Sequence, residues 1–178
     1  AAEQFYDRTP DCNFTTFIGY EWTGAPTANF GNGGLETINL HRNIIFLNKK
    51  VPDAPTSYLD APYPEHLWDA LQTQCLDVVD GTNKCDVLTI PHNSNLSQGL
   101  IFETVQPNGN PYGKAQALRR AKFEPLIEIM QHKGQSECLP PSLGGSDELC
   151  DFEIIPWGHL SGNFIGPTVP KVEGTVRD

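Results

Sequence analysis

Three side chains that could share a divalent cation stand where strands would end. Glu21 nearly closes the run Phe14-Thr15-Thr16-Phe17-Ile18-Gly19-Tyr20-Glu21-Trp22. His41 lies within Ile38 to Leu47, and His92 comes just after Asp86-Val87-Leu88-Thr89-Ile90. One carboxylate and two imidazoles form a donor set that suits zinc, manganese or iron. The three are far apart in the chain, so only a fold that gathers three strand ends can build the site. A single histidine is more often structural, and it is the repetition at three strand ends that raises the metal reading. Two loops offer companions. In Pro91-His92-Asn93-Ser94-Asn95, Asn93 and Ser94 could bind substrate, or simply make the turn that Asn and Ser favour. In Gln131-His132-Lys133-Gly134-Gln135-Ser136-Glu137, a lysine, a flexible glycine and a hydroxyl suit an anionic group, and the bland alternative is a solvated loop.

The elements that must position these residues can be read from pattern. Phe14 to Trp22 and Ile38 to Leu47 read as strands, the second interrupted by Asn39, His41, Arg42 and Asn43. A helix is expected from Glu65 to Val79, with Pro64 at its start and an apolar stripe of Leu67, Trp68, Leu71, Cys75, Val78 and Val79. A strand over 86–90, a helix from Lys114 to Phe123, a strand over 125–130 and a helical turn near Asp147 to Phe152 complete the pass. Short apolar strands alternating with helices predict an α/β domain with mainly parallel strands and long loops. In such folds ligands collect at the carboxyl ends of strands.

Composition removes several classes. The 178 residues carry 12 Lys+Arg against 22 Asp+Glu, a formal net charge of −10, with no basic run. That excludes a nucleic-acid binder, whose affinity starts with cations on phosphates. No apolar run approaches the length of a membrane span. There is no H-E-x-x-H, G-x-S-x-G, P-loop or G-x-G-x-x-G after a strand. With 16 Gly and 15 Pro, much of the chain must be loop. The only methionine, Met130, lies deep in a chain that starts at Ala1, which predicts a central portion of a longer protein.

Of five cysteines, Cys75 and Cys85 flank the turn Asp80-Gly81-Thr82-Asn83, and Cys138 and Cys150 flank Pro140-Pro141 and Gly144-Gly145. Each pair brackets a chain reversal, a natural place for a local disulfide, and Cys12 is left over. Two disulfides would favour an oxidising compartment, periplasmic or secreted. Buried free thiols in the cytosol are the other reading.

Taken in order, residues 14–23, Asn39-Leu40-His41-Arg42-Asn43, Ile90-Pro91-His92-Asn93-Ser94-Asn95, Glu128, Lys133-Gly134-x-Ser136-Glu137-Cys138 and Asp147-Glu148-Leu149-Cys150-Asp151-Phe152-Glu153 resemble a large bacterial family. That family is grouped as a domain of unknown function and related to the PHP (polymerase and histidinol phosphatase) metallohydrolases. The resemblance covers nearly the whole chain. It implies part of a distorted β/α barrel with two or three metal ions at the strand carboxyl ends, and Glu21, His41 and His92 as ligands. Arg42 and Lys133 would then neutralise substrate oxygens as catalytic cations. Asn43, Asn93, Ser94, Ser136 and Glu137 would line the substrate. PHP-type sites also use a His-x-His and an Asp-x-His pair, which this sequence lacks: His159 follows Trp157, not an aspartate.

The expected function is therefore a central segment of an exported metal-dependent hydrolase, a phosphoesterase in the first reading, with a metal-activated water and a small anionic substrate. The rest of the parent chain would supply the missing ligands, so the isolated segment should bind metal weakly and show little activity. Two alternatives stay open: a non-catalytic binding or structural module, and a metal-dependent hydrolase of amides or sulfate esters.

Overall fold

The computed structural model describes residues 2–28, 36–78, 84–106, 108–132, 134–139, 141 and 145–151. The elements run α1 (Ala2–Phe5), β1 (Ile18–Trp22), β2 (Thr27–Ala28), β3 (Glu36–Thr37), β4 (Arg42–Phe46), α2 (Pro64–Leu71), β5 (Val87–Pro91), α3 (Lys114–Phe123), β6 (Met130–Gln131) and β7 (Gly134–Gln135). The central sheet has the order β1-β4-β5, and both pairings are antiparallel.

Strand composition explains the sheet. Ile44, Ile45 and Phe46 face Val87, Leu88 and Thr89 in register, with Ile18, Gly19 and Tyr20 on the other side. Burial alternates along β4, placing Arg42, Ile44 and Phe46 inward and Asn43 and Ile45 outward. Trp22, Ile44 and Phe46 pack in one core with Leu67, Trp68 and Leu71 of α2 and with Ile101 and Phe123. Each such side chain contributes roughly 1.5–3 kcal/mol by leaving water. The Trp68 and Phe123 rings stack at 6.1 Å, and the buried Trp22 Nε1–H donates to the Ala61 carbonyl at 3.1 Å. Helix α2 begins at Pro64 with Glu65 in its first turn, both suited to a helix start. The chain then widens into a π turn over Gln72–Leu76, so the helical stretch ends at Leu76 with Val78 already outside it, and Val79 lies outside the described residues.

The expected barrel with mainly parallel strands is overturned: the described sheets are antiparallel, of three and two strands, and no barrel forms among the described residues. The reason lies in the connections. Trp22 pairs with Arg42, so the excursion after β1 leaves and returns at one end of the sheet. The longer excursion after β4 does the same at the other end, where the Leu47 N–H donates to the Asp86 carbonyl at 3.0 Å. A parallel pair needs a crossover that carries the chain back to its starting end. Helix α2 is flanked by enough loop to avoid one. The expected strand over 125–130 is also corrected, because only Met130–Gln131 pairs, with Gly134–Gln135. Residues before it make single contacts instead, such as the Glu128 N–H to the Pro91 carbonyl at 3.0 Å.

Cys75 pairs with Cys85 and Cys138 with Cys150, while Cys12 is free and exposed. The first bridge ties the end of the α2 region to the start of β5. Replacing Cys75 and Cys85 by Ser should lower the unfolding free energy by about 3 kcal/mol, since each closes a short loop. Urea denaturation reads this, and an unchanged midpoint would contradict it. Among the described residues no helix is long and apolar enough to cross a membrane.

Candidate metal centre

The antiparallel order brings the end of β1, the start of β4 and the end of β5 to one side of the sheet. Glu21 is the penultimate residue of β1, His41 immediately precedes β4, and His92 immediately follows β5. The ladder extends one step past the strands, with the His92 N–H donating to the His41 carbonyl at 3.2 Å. Glu21 lies opposite Asn43, and Asn43 opposite Ile90, so these share the outer face with His41 and His92. One carboxylate oxygen joins both rings: Glu21 Oε1 is 2.7 Å from His41 Nδ1 and 3.0 Å from His92 Nε2. The rings meet edge to face, their centroids 5.8 Å apart. One donor atom from each residue lies within 4.8 Å of the others.

Local chemistry holds the histidines in place. The Asn39 side-chain oxygen accepts the His41 N–H at 3.0 Å, an Asx turn two residues long. Asn39 is itself buried, and its N–H donates to the Leu96 carbonyl at 3.2 Å. Both imidazoles are mostly covered, with side chains about 15% and 14% exposed, whereas Glu21 is 43% exposed and opens the cluster to solvent. The far nitrogens, His41 Nε2 and His92 Nδ1, are buried with no hydrogen-bond partner. Buried polar atoms are nearly always paired, so two such atoms in one cluster mark a site that protein groups alone leave incomplete. The donor set, one carboxylate and two imidazoles with donor atoms within 4.8 Å of one another, fits a divalent cation.

Burial pushes the His41 imidazole below its ordinary value of 6.5; the Glu21 carboxylate opposes this, and His92 and Arg42 add to it. A ring that stays neutral keeps a lone pair for a metal. The sign for stability follows. The unfolded chain takes up this proton more readily than the folded one, so the stabilising contribution is complete above about pH 6.5 and declines below it. Thermal unfolding near pH 7.5 and near pH 5.5 should show a larger acid-induced fall in Tm for the wild type than for His41→Gln. Equal falls would contradict the assignment.

A family model described as "Protein of unknown function (DUF3604)" matches residues 1–173. The chain belongs to that family. Comparison with curated proteins and with solved structures gave no match. In this DUF3604 chain the remaining candidate residues part company. Arg42 faces away from the cluster into the core, 2% exposed, where its Nε donates to Glu124 Oε1 at 2.8 Å. Its Nη1 donates to the Leu40 carbonyl, and its guanidinium lies 5.7 Å from the Trp22 ring centroid. It is a core cation and not a substrate-facing one. Ser94 and Ser136 are buried and bonded to each other, oxygen to oxygen at 2.7 Å, so neither hydroxyl is open to solvent. Asn93 adopts a left-handed backbone at φ 55, and its side-chain oxygen accepts from Gln131. The Glu137 N–H is held by Gln135 Oε1 at 2.6 Å. Asn43 alone of the expected substrate residues shares the outer face beside Glu21. Lys133 and His159 lie outside the described residues, as does the 80–83 turn. Sequence reasoning missed Glu124, which carries no local signal, and Asn39, whose Asn-x-His spacing signalled an Asx turn.

Proposed function

We propose that this chain carries a metal-dependent hydrolase centre in which Glu21, His41 and His92 hold one divalent cation of the zinc, manganese or iron class. The observation that carries the reading is the single Glu21 oxygen within hydrogen-bond distance of both imidazoles, with one donor atom from each residue gathered within 4.8 Å. Three protein ligands and a solvent-open side are the pattern of catalytic rather than structural zinc. Bound there, the ion would act as a Lewis acid and bring the pKa of a bound water to about 7. Glu21 would supply the negative charge, and the imidazoles neutral donors. Asn43, opposite Glu21 on the same face, would donate an amide hydrogen bond to a substrate oxygen.

A phosphoester is the favoured substrate class, because oxygen-rich anions are what such an ion polarises best. The ordered Glu, His, His set resembles PHP-type ligands and supports the same reading, although the barrel of those enzymes forms no part of it. Two disulfides favour export to an oxidising compartment. The test is hydrolysis of a chromogenic phosphomonoester and phosphodiester by the zinc- or manganese-loaded chain. Activity that is lost on chelation and absent from Glu21→Ala supports the proposal. Hydrolysis that survives Glu21→Ala, His41→Ala and His92→Ala refutes it.

A further inference from the structure

Resting on the metal reading above, we propose that Glu128 is the positioning residue of the centre and fixes His92 by gripping the backbone on both sides of it. Three contacts made by this one residue carry the inference. The Glu128 N–H donates to the Pro91 carbonyl at 3.0 Å. Its carboxylate Oε2 accepts the Asn93 N–H at 2.7 Å, and its carbonyl accepts the Ser94 hydroxyl at 3.3 Å. Positions 91, 93 and 94 are thus held by Glu128, and position 92 is the ligand.

The grip is needed because the chain turns sharply there. Strand β5 ends at Pro91, and Asn93 already stands at φ 55, the left-handed region that costs a non-glycine residue energy. Asn tolerates that conformation better than most residues, but something must hold it against the extended alternative. A carboxylate on a backbone N–H is a charge-assisted bond, roughly twice as strong as a neutral one. Gln131 holds the Asn93 and Asn95 side chains, not this backbone, so it cannot replace the contact. If the turn relaxes, the His92 ring swings relative to Glu21 Oε1 and His41, while the core on the opposite face of the sheet is untouched. Glu128 therefore acts through the main chain and touches no cation.

Cobalt(II) is the probe, since it reports affinity and coordination together. Wild type, Glu128→Ala and Glu128→Gln, each as the full chain, are titrated with it and melted without it. Glu128→Ala should weaken cobalt binding roughly 10- to 100-fold, the range for lost outer partners of metal ligands. Glu128→Gln keeps a side-chain oxygen acceptor and should recover most of the affinity, with the wild-type visible spectrum restored. Unchanged affinity in Glu128→Ala, even with a lowered Tm, overturns the proposal, because that is what a purely structural role gives. Should Glu128→Ala not fold, Glu128→Asp withdraws the acceptor by one methylene and is read the same way. Failure of the wild type to bind cobalt overturns the metal reading and this inference with it. Binding by the wild type that ignores Glu128 overturns this inference alone.

Discussion

Zinc affinity falls by more than the roughly 10- to 100-fold typical of losing an outer partner when His41 or His92 becomes Ala, because each supplies a direct donor. The double variant His41→Ala/His92→Ala leaves Glu21 alone, 43% exposed and indistinguishable from an ordinary surface carboxylate. A second readout separates this from general damage. Zinc at about 100 times its dissociation constant stabilises the folded wild type by about 2.7 kcal/mol, since the gain follows mass action. The zinc-dependent rise in Tm should therefore vanish in both single variants. Their metal-free Tm should fall only modestly, because each variant gives up one ring contact to a carboxylate that is itself 43% exposed. A zinc-dependent rise that persists in both would contradict the assignment. Asn43→Ala should keep the zinc response and lose turnover, which separates holding the ion from contacting substrate.

The second large effect lies behind the sheet. Arg42 and Glu124 are an ion pair with side chains 2% and 4% exposed. Glu124 Oε2 also accepts from Arg120 Nε at 3.1 Å, and Arg120 continues to the Ile101 and Glu103 carbonyls. This network ties α3 to the 3₁₀ turn at Leu100–Phe102 and to the start of β4. Glu124→Ala strands a buried guanidinium and should cost about 3–5 kcal/mol, the range for breaking a buried pair from one side. The variant Arg42→Met/Glu124→Leu, which removes both charges, should cost much less. Arg42→Lys should not rescue, because an ammonium cannot reproduce the planar fork that reaches Glu124 and the Leu40 carbonyl together. Guanidinium unfolding checks all three. A loss below about 1 kcal/mol for Glu124→Ala would show that water reaches Arg42 and that the pair is weaker than its burial implies.

What could be read ahead of the structure follows the range of each physical signal. Helix α3 was legible at both ends, because Gly113 and Pro125 frame a run of good helix formers. The disulfides were legible because each closes a short reversal. Strand existence was legible from β-branched and aromatic runs, but direction was not. Val87-Leu88-Thr89-Ile90 reads as continuously apolar, as a doubly covered parallel strand would, yet only Val87 and Thr89 are fully buried. The error had a consequence for the site. His41 precedes β4, so in a parallel sheet it would lie at the opposite end from Glu21 and His92. Antiparallel pairing is what lets the three meet. Arg42 was misread despite a usable signal: period two from the inward Ile44 and Phe46 puts it on the core face. Its partner Glu124, 82 residues away, could not be read from any local pattern.

The most direct test of the central claim is a crystal of the full chain grown with zinc and measured at the zinc absorption edge. The account predicts one strong anomalous peak bonded to a Glu21 carboxylate oxygen, one nitrogen of His41 and one nitrogen of His92, with the Glu21 side open to solvent. A zinc peak elsewhere, with Glu21 Oε1 still hydrogen-bonded to both imidazoles, would contradict it.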